Sequence, residues 1–213
     1  MREDFQAELS RVNSTLVTMA MAVRETMRQA SNALLTADQT MARQVTVREA
    51  EIDVLYRVAE DRAYDLVARR QPIADDLRKA LTSLQVAAGL RRMGGLAVHV
   101  ARSALRRHPA PAVVPELYEL FRAMSTVADG LVAKIISALA GHDAVLAAQL
   151  DRDDDAMDHL HRRLFAVMLS PDWPMGVEAA IDGALLGRYY ERYADNAVNV
   201  GRHIVQLVTG KGG

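Results

Sequence analysis

The sequence predicts an all-α protein, and three observations carry that prediction. The six prolines of its 213 residues fall in three places: Pro72, then Pro109, Pro111 and Pro115, then Pro171 and Pro174. Proline inside a helix costs ~3 kcal/mol, so the long stretches between these points are free to be helical. Those stretches are dominated by Ala, Leu, Arg, Met and Glu; β-branched alternation is scarce, and strand runs bounded by Asn-Gly or Asp-Gly turns are absent.

Six helices follow in order. The first covers 3–35 and ends at Thr36, Ala37 and Asp38, where Asp38 precedes a fresh apolar pattern and suits an N-cap. The second runs over 38–70 to the Pro72 break, and the third over 73–107 to the proline cluster. The fourth, 113–140, ends at Gly141, His142 and Asp143, where Asp143 repeats the capping role of Asp38. The fifth spans 143–169 and the sixth 175–209, with the Ser170 to Pro174 turn, which carries Trp173, as a packed corner between them. At ~1.5 Å rise per residue each helix is roughly 40–50 Å long, and helices of that length need neighbours along their whole extent. In the sixth, Val177, Ile181, Leu185, Tyr189, Tyr193, Ala197, Val200, Ile204 and Leu207 recur every three or four residues, predicting one buried stripe. The ten methionines, Met19, Met21, Met93 and Met157 among them, are expected as core filler.

The chain also repeats itself. At an offset of 105, positions 33, 34, 38, 42, 44, 53, 55 and 57 match their partners. At an offset of 100, residues 90–102 (LRRMGGLAVHVAR) align with 190–202 (YERYADNAVNVGR), with Arg92/Arg192, Ala97/Ala197, Val98/Val198, Val100/Val200 and Arg102/Arg202 identical. The expected organisation is two tandem three-helix bundles, at 1–108 and 116–213, joined by a Pro-rich segment at 109–115.

Composition narrows the function classes. Half the residues are hydrophobic and a quarter charged, which is ordinary globular composition. Zero cysteine removes disulfides, thiolate zinc sites and thiol nucleophiles. A formal net charge of −1 argues against a dedicated nucleic-acid binder. The longest apolar runs, such as 16–23, fall short of a bilayer span, and no secretory signal is visible at the start, so a soluble cytoplasmic protein is expected.

The chemistry-bearing residues lie in the second half. Glu191 and Asp195 share a helix face at i,i+4, with Asn199 one step further. The plain explanation is pairing with a neighbouring arginine, Arg188 or Arg192; the functional one is oxygen ligation of a hard cation or iron. Five aspartates lie in 151–158, a run that usually marks a solvated face. If the fifth and sixth helices are antiparallel neighbours, Asp154 and Asp158 face Glu191 and Asp195, and four converging carboxylates call for a cation. In the first half Glu49 and Asp53 occupy the places of Asp154 and Asp158, but Arg91 and Gly95 replace Glu191 and Asp195. That site is expected to bind an ion poorly. His159 and His161 diverge on a helix and are expected to be partly buried or solvated, and the pairs Arg69-Arg70, Arg106-Arg107 and Arg162-Arg163 to be solvated. No phosphate loop, G-x-S-x-G or H-E-x-x-H is present.

Residues 68–78 (ARRQPIADDLR) and 190–199 (YERYADNAVN) resemble the PhoU family of phosphate-uptake regulators. The first resembles its R-Q-P-x-A-x-D-L-R segment and the second its E-R-x-x-D-x-x-x-N motif; the likeness extends over the whole chain and its tandem repeat. The high Ala and Arg content and the Arg-Arg-Met-Gly-Gly variant look like actinobacterial members. The resemblance implies a cytoplasmic, membrane-peripheral negative regulator without catalytic activity. Such a protein couples a phosphate ABC transporter to a sensor histidine kinase and is expected as a homodimer. It also implies metal binding, with Glu191, Asp195, Asp154 and Asp158 as ligands, weaker counterparts at Glu49 and Asp53, and Fe, Mn, Zn or Mg as the ion. The rival readings from the residues are a metal-dependent, di-iron-like bundle enzyme, for which paired Glu-x-x-His motifs are lacking, and a metal-free helical scaffold.

Overall fold

In this computed structural model, residues 2–70 and 74–210 are described, and they are helical with no strand among them. The elements are α1 (Arg2–Thr36), α2 (Gln39–Arg70), α3 (Ala74–Arg107), α4 (Pro115–Gly141), α5 (Ala144–Ala148), α6 (Leu150–Asp153), α7 (Asp155–Met168) and α8 (Gly176–Thr209). Five of the six expected helices form as single elements. Gln71, Pro72 and Ile73 of the first family-like motif lie outside the described residues, as do the side chains of Arg69 and Arg70.

The fifth helix, expected unbroken over 143–169, is interrupted at Gln149 and Asp154. Asp151, Asp153, Asp154 and Asp155 explain the breaks: aspartate is a poor helix former in an interior, and adjacent like charges repel. The first break tightens, with the Gln149 N–H donating to Leu146 O at 3.2 Å.

The two αα turns are built alike. Asp38 accepts from the Met41 N–H and Asp143 from the Leu146 N–H, both at 2.9 Å. The residue before each aspartate is left-handed, Ala37 at φ 53° and His142 at φ 49°. The closing bond is also the same: Asp38 N–H donates to Ala33 O at 3.1 Å and Asp143 N–H to Ala138 O at 2.9 Å. A non-glycine in this region costs ~1–2 kcal/mol, offset here by the cap and the closing bond. Between the halves, Pro115 stands at the first position of α4 and Ala112 and Val113 are buried.

Helices α1, α2 and α3 pack as one bundle and α4, α5–α7 and α8 as the other; α1 lies on α4 and α3 on α8. One hydrophobic cluster therefore runs through both bundles, from Leu16 and Met27 of α1 to Phe121 of α4 and Tyr190 of α8. Arg24 on α1 donates to Asp129 on α4 with two bonds of 2.8 Å, and the buried Ser31 and Tyr190 hydroxyls meet at 2.7 Å. Among the described residues α4 is the helix long and apolar enough to suit a membrane span by length and composition, yet Leu117, Phe121, Met124, Leu131 and Ile135 face the core.

Two packing expectations are corrected. Val177, Ile181 and Leu185 are 76%, 55% and 39% exposed, so the predicted stripe does not bury its first three members. Steps of four advance 40° beyond a full turn at 3.6 residues per turn, so a run of i+4 steps winds round the helix. The core takes Gly183, Leu186, Gly187 and Tyr190 there instead. Met19, Met93 and Met157 are buried, but Met21 is exposed. Trp173 packs partly against the core and its indole N–H donates to Gly176 O at 2.8 Å.

Candidate functional site

Glycines on α8 bring the interrupted fifth segment onto it. A Cβ on Gly183 would meet Met168, one on Gly187 would lie 2.4 Å from Leu164 Cδ2, and one on Gly201 would lie 2.9 Å from the Ala147 carbonyl oxygen. Residue numbers fall along the segment as they rise along α8, so α7 and α8 are antiparallel neighbours. That is the condition for the acidic residues of 151–158 to face Glu191 and Asp195.

Asp154 is half-buried at the start of α7, and its side chain makes no capping bond. Its carboxyl is pushed up to about 6, first by burial and then by the charges of Asp158, Asp195, Glu191 and Asp155. The structure thus brings Asp154 within the field of every predicted partner. No cation pairs with Asp154, Asp158 or Asp195 among the described residues. Glu191 is different: Arg188 Nη1 donates to both of its carboxylate oxygens at 2.7 Å. The donor set, carboxylate oxygens alone, suits a hard cation. Among the described residues no three His, Asp or Glu side chains stand close enough together to hold one ion as they are placed.

The first repeat solves the same electrostatic problem with arginine. Arg91 Nε donates to Asp53 at 2.7 Å and Arg102 Nη2 to Glu49 at 2.9 Å. Arg91 also lies over the Tyr56 ring, 4.8 Å from its centroid, while the Tyr56 hydroxyl donates to Glu60 at 3.0 Å. In the second repeat Arg202, the counterpart of Arg102, reaches Asp151 at 2.6 Å instead of Asp154. The kinked fifth segment accounts for that shift.

Other expected candidates are placed as follows. His159 is exposed; His161 is half-buried, edge-on to Phe165 at 5.1 Å, with its Nε2 buried and unpaired. Arg106 and Arg107 are not merely solvated: Arg107 binds Glu178 at 2.6 Å and Asp182, and Arg106 stands 3.8 Å from Asp182, tying α3 to α8. Lys134 pairs with Asp153, a link that sequence spacing does not signal.

The chain is similar to known proteins over nearly its whole length. The model of the PhoU domain matches twice, over residues 16–104 and 121–204. The phosphate-specific transport system accessory protein PhoU homolog 2 of Mycobacterium tuberculosis is 41% identical over 99% of both chains. PhoU homolog 1 of Mycobacterium leprae is 40% identical over 99% of this chain and 95% of its own. The crystal structure of PhoU from Pseudomonas aeruginosa superposes with a TM-score of 0.87 at 29% identity, covering 97% of this chain and 100% of that one.

Proposed function

Because the chain belongs to the PhoU family, we propose that it is an accessory regulator of a phosphate transport system. The observation that carries this reading is the full-length likeness, at 41% identity, to a mycobacterial protein named for that role. In the finer form of the proposal, the protein couples a phosphate ABC transporter to a sensor histidine kinase. It works in the cytoplasm at the membrane surface, as a homodimer and without catalysis. The fold suits an adaptor: one core fixes the helices of both repeats, so an outer face can present a defined surface to a partner. Exposed apolar residues at Ile181, Val177 and Leu169 supply surface of the kind that partners cover.

The acidic groove is proposed to take a divalent or ferric metal ion: Fe, Mn, Zn or Mg. Asp154, Asp158, Asp195 and Glu191 would hold it through carboxylate oxygens. The half-buried Asp154, raised first by burial and then by four neighbouring charges of the same sign, supports this reading. The bound ion would supply the positive charge that lets all four ionise at neutral pH. Arg188 competes with it for Glu191. The first repeat carries Arg91 and Arg102 against Asp53 and Glu49, which supports one ion site per chain and not two.

The test of the regulatory reading is affinity capture from membranes of the native host grown in high phosphate. Transporter and kinase subunits are expected with the wild type. Recovery of neither, from protein that is folded and abundant, would contradict it.

A further inference from the structure

The arginine of the E-R-x-x-D-x-x-x-N motif, Arg192, takes no part in the acidic groove. Its place in the fold comes from the way the two repeats meet. On α3 and α8, a Cβ on Gly89 would lie 2.5 Å from Val200 Cγ2, so the helices approach closely there. Ten residues further along α3, the His99 ring stacks on Tyr189, 5.2 Å between centroids and 18° between planes. Position 89 therefore sits against 200 and position 99 against 189, an antiparallel crossing whose centre relates each residue of α3 to its own repeat counterpart on α8. Residues that are equivalent in the two repeats, and close to that centre, must share one surface. Arg92 and Arg192 are such a pair, identical in the repeat alignment.

Both line one cleft of about 350 Å³, with Gly95, Leu96, His99 and Asn196 completing its walls. No carboxylate lines it, and neither guanidinium has an ion-pair partner among the described residues. Five other arginines that cross between helices meet acids, Arg24 with Asp129, Arg91 with Asp53, Arg102 with Glu49, Arg107 with Asp182 and Arg202 with Asp151, while Arg62 and Arg78 reach hydroxyl or carbonyl oxygens of another segment. The fold thus concentrates two permanent positive charges in one concave place and leaves them without a counter-charge. Stacking on Tyr189 holds the His99 ring at the rim. The Asn196 amide is fixed by its bond to Arg192 O at 2.6 Å. Open space lies above Gly95, where an added Cβ would meet nothing within 4 Å.

We propose that this cleft, on the axis relating the two repeats, is a binding site for a phosphate-class oxyanion held between Arg92 and Arg192. Planar guanidinium groups bind phosphate oxygens in pairs, and one from each side clamps a dianion. The volume lies in the range of small-molecule sites and accommodates a diphosphate or phosphate ester more fully than orthophosphate alone. Because each repeat supplies one arginine, the ligand bridges the two bundles.

The proposal does not rest on the transporter-accessory reading, because its test uses the isolated protein. Pyrophosphate and orthophosphate are titrated calorimetrically into the full chain in low-salt buffer with a chelator, so that no metal in the acidic groove binds them. Saturable pyrophosphate binding at one per chain is expected, with orthophosphate weaker. Arg92→Gln/Arg192→Gln weakens binding at least about tenfold, while the charge-matched Arg43→Gln/Arg57→Gln, at exposed positions outside the cleft, leaves it unchanged. Sedimentation with phosphatidate vesicles separates the sources of the phosphate. Vesicle capture that the cleft variant loses, without pyrophosphate binding, assigns a lipid headgroup to the same two arginines. Absence of binding to all three probes, or equal weakening in both variant pairs, overturns the site.

Discussion

Arg91 stands in the first repeat where Glu191 stands in the second, and its Nε donates to Asp53 at 2.7 Å. The two repeats therefore neutralise equivalent carboxylates by opposite means, a built-in guanidinium in one and, as proposed, an exchangeable cation in the other. Both members of the pair are substantially exposed, 49% and 31% at the side chains, so the bond is worth ~1 kcal/mol or less to stability. Its consequence lies in what it excludes.

Arg91→Glu/Gly95→Asp removes the guanidinium and completes a four-carboxylate set with Glu49 and Asp53. Elemental analysis after manganese loading is expected to show a rise of about one ion per chain over the wild type, the content of two second-repeat-like sites. Unchanged content would mean that Arg91 is not what keeps an ion out.

Asp154 links the groove to pH. Its folded pKa, about 6, lies above the ordinary 3.8 of an unfolded chain, so the folded state binds the extra proton between those values. Stability from this group is greatest at low pH and falls as pH rises from about 4 through 6. In chelator, Asp154→Asn is expected to raise Tm at pH 7.5, by about 2–4 °C for each ~1 kcal/mol relieved. The gain shrinks towards pH 5, and a gain that is equal or larger at pH 5 contradicts the assignment.

Arg24 and Asp129 fasten α1 to α4 through two 2.8 Å bonds, and the guanidinium holds the carboxyl below its usual range. A depressed carboxylate contributes stability above its unfolded pKa and loses it as pH falls through the folded one. A double-mutant cycle with Arg24→Ala and Asp129→Ala is expected to give a coupling of ~1 kcal/mol at pH 7, since the pair is bidentate but about one-third exposed. The coupling vanishes below the carboxyl's depressed pKa; persistence in strong acid would show a packing contribution instead.

Two glycines should answer differently to the same substitution. Gly130 has nothing within 4 Å of an added Cβ, and alanine in a helix is favoured over glycine, so Gly130→Ala gains ~0.5–1 kcal/mol. At Gly201 the Cβ would lie 2.9 Å from the Ala147 carbonyl oxygen, which is backbone and cannot rotate away. Gly201→Ala is expected to cost ~1–3 kcal/mol in chemical denaturation. It should also loosen α5 from α8.

Much of this was legible in residue order. Asp38 and Asp143, 105 residues apart, announce the two turns, because a capping aspartate acts on its own neighbours. Arg91 and Gly95 announce the divergence of the first repeat, and Arg188, three residues from Glu191, is the neighbour that captures it. What stays hidden depends on geometry summed over many residues. The i+4 stripe at Val177, Ile181 and Leu185 reads as buried until its drift round the helix is counted. The breaks at Gln149 and Asp154 need the summed cost of four aspartates, not the propensity of one. Arg92 and Arg192 are visibly identical, but that they share a cleft follows only from where α3 crosses α8.

The most direct measurement of the regulatory role is made in the native host after removal of all its PhoU-family genes. This chain is returned as the sole copy, and a phosphate-starvation reporter is read in phosphate-rich medium. Restored repression, with the reporter still rising on phosphate depletion, is the predicted result. A reporter that stays fully on while folded protein accumulates to its native level would contradict it.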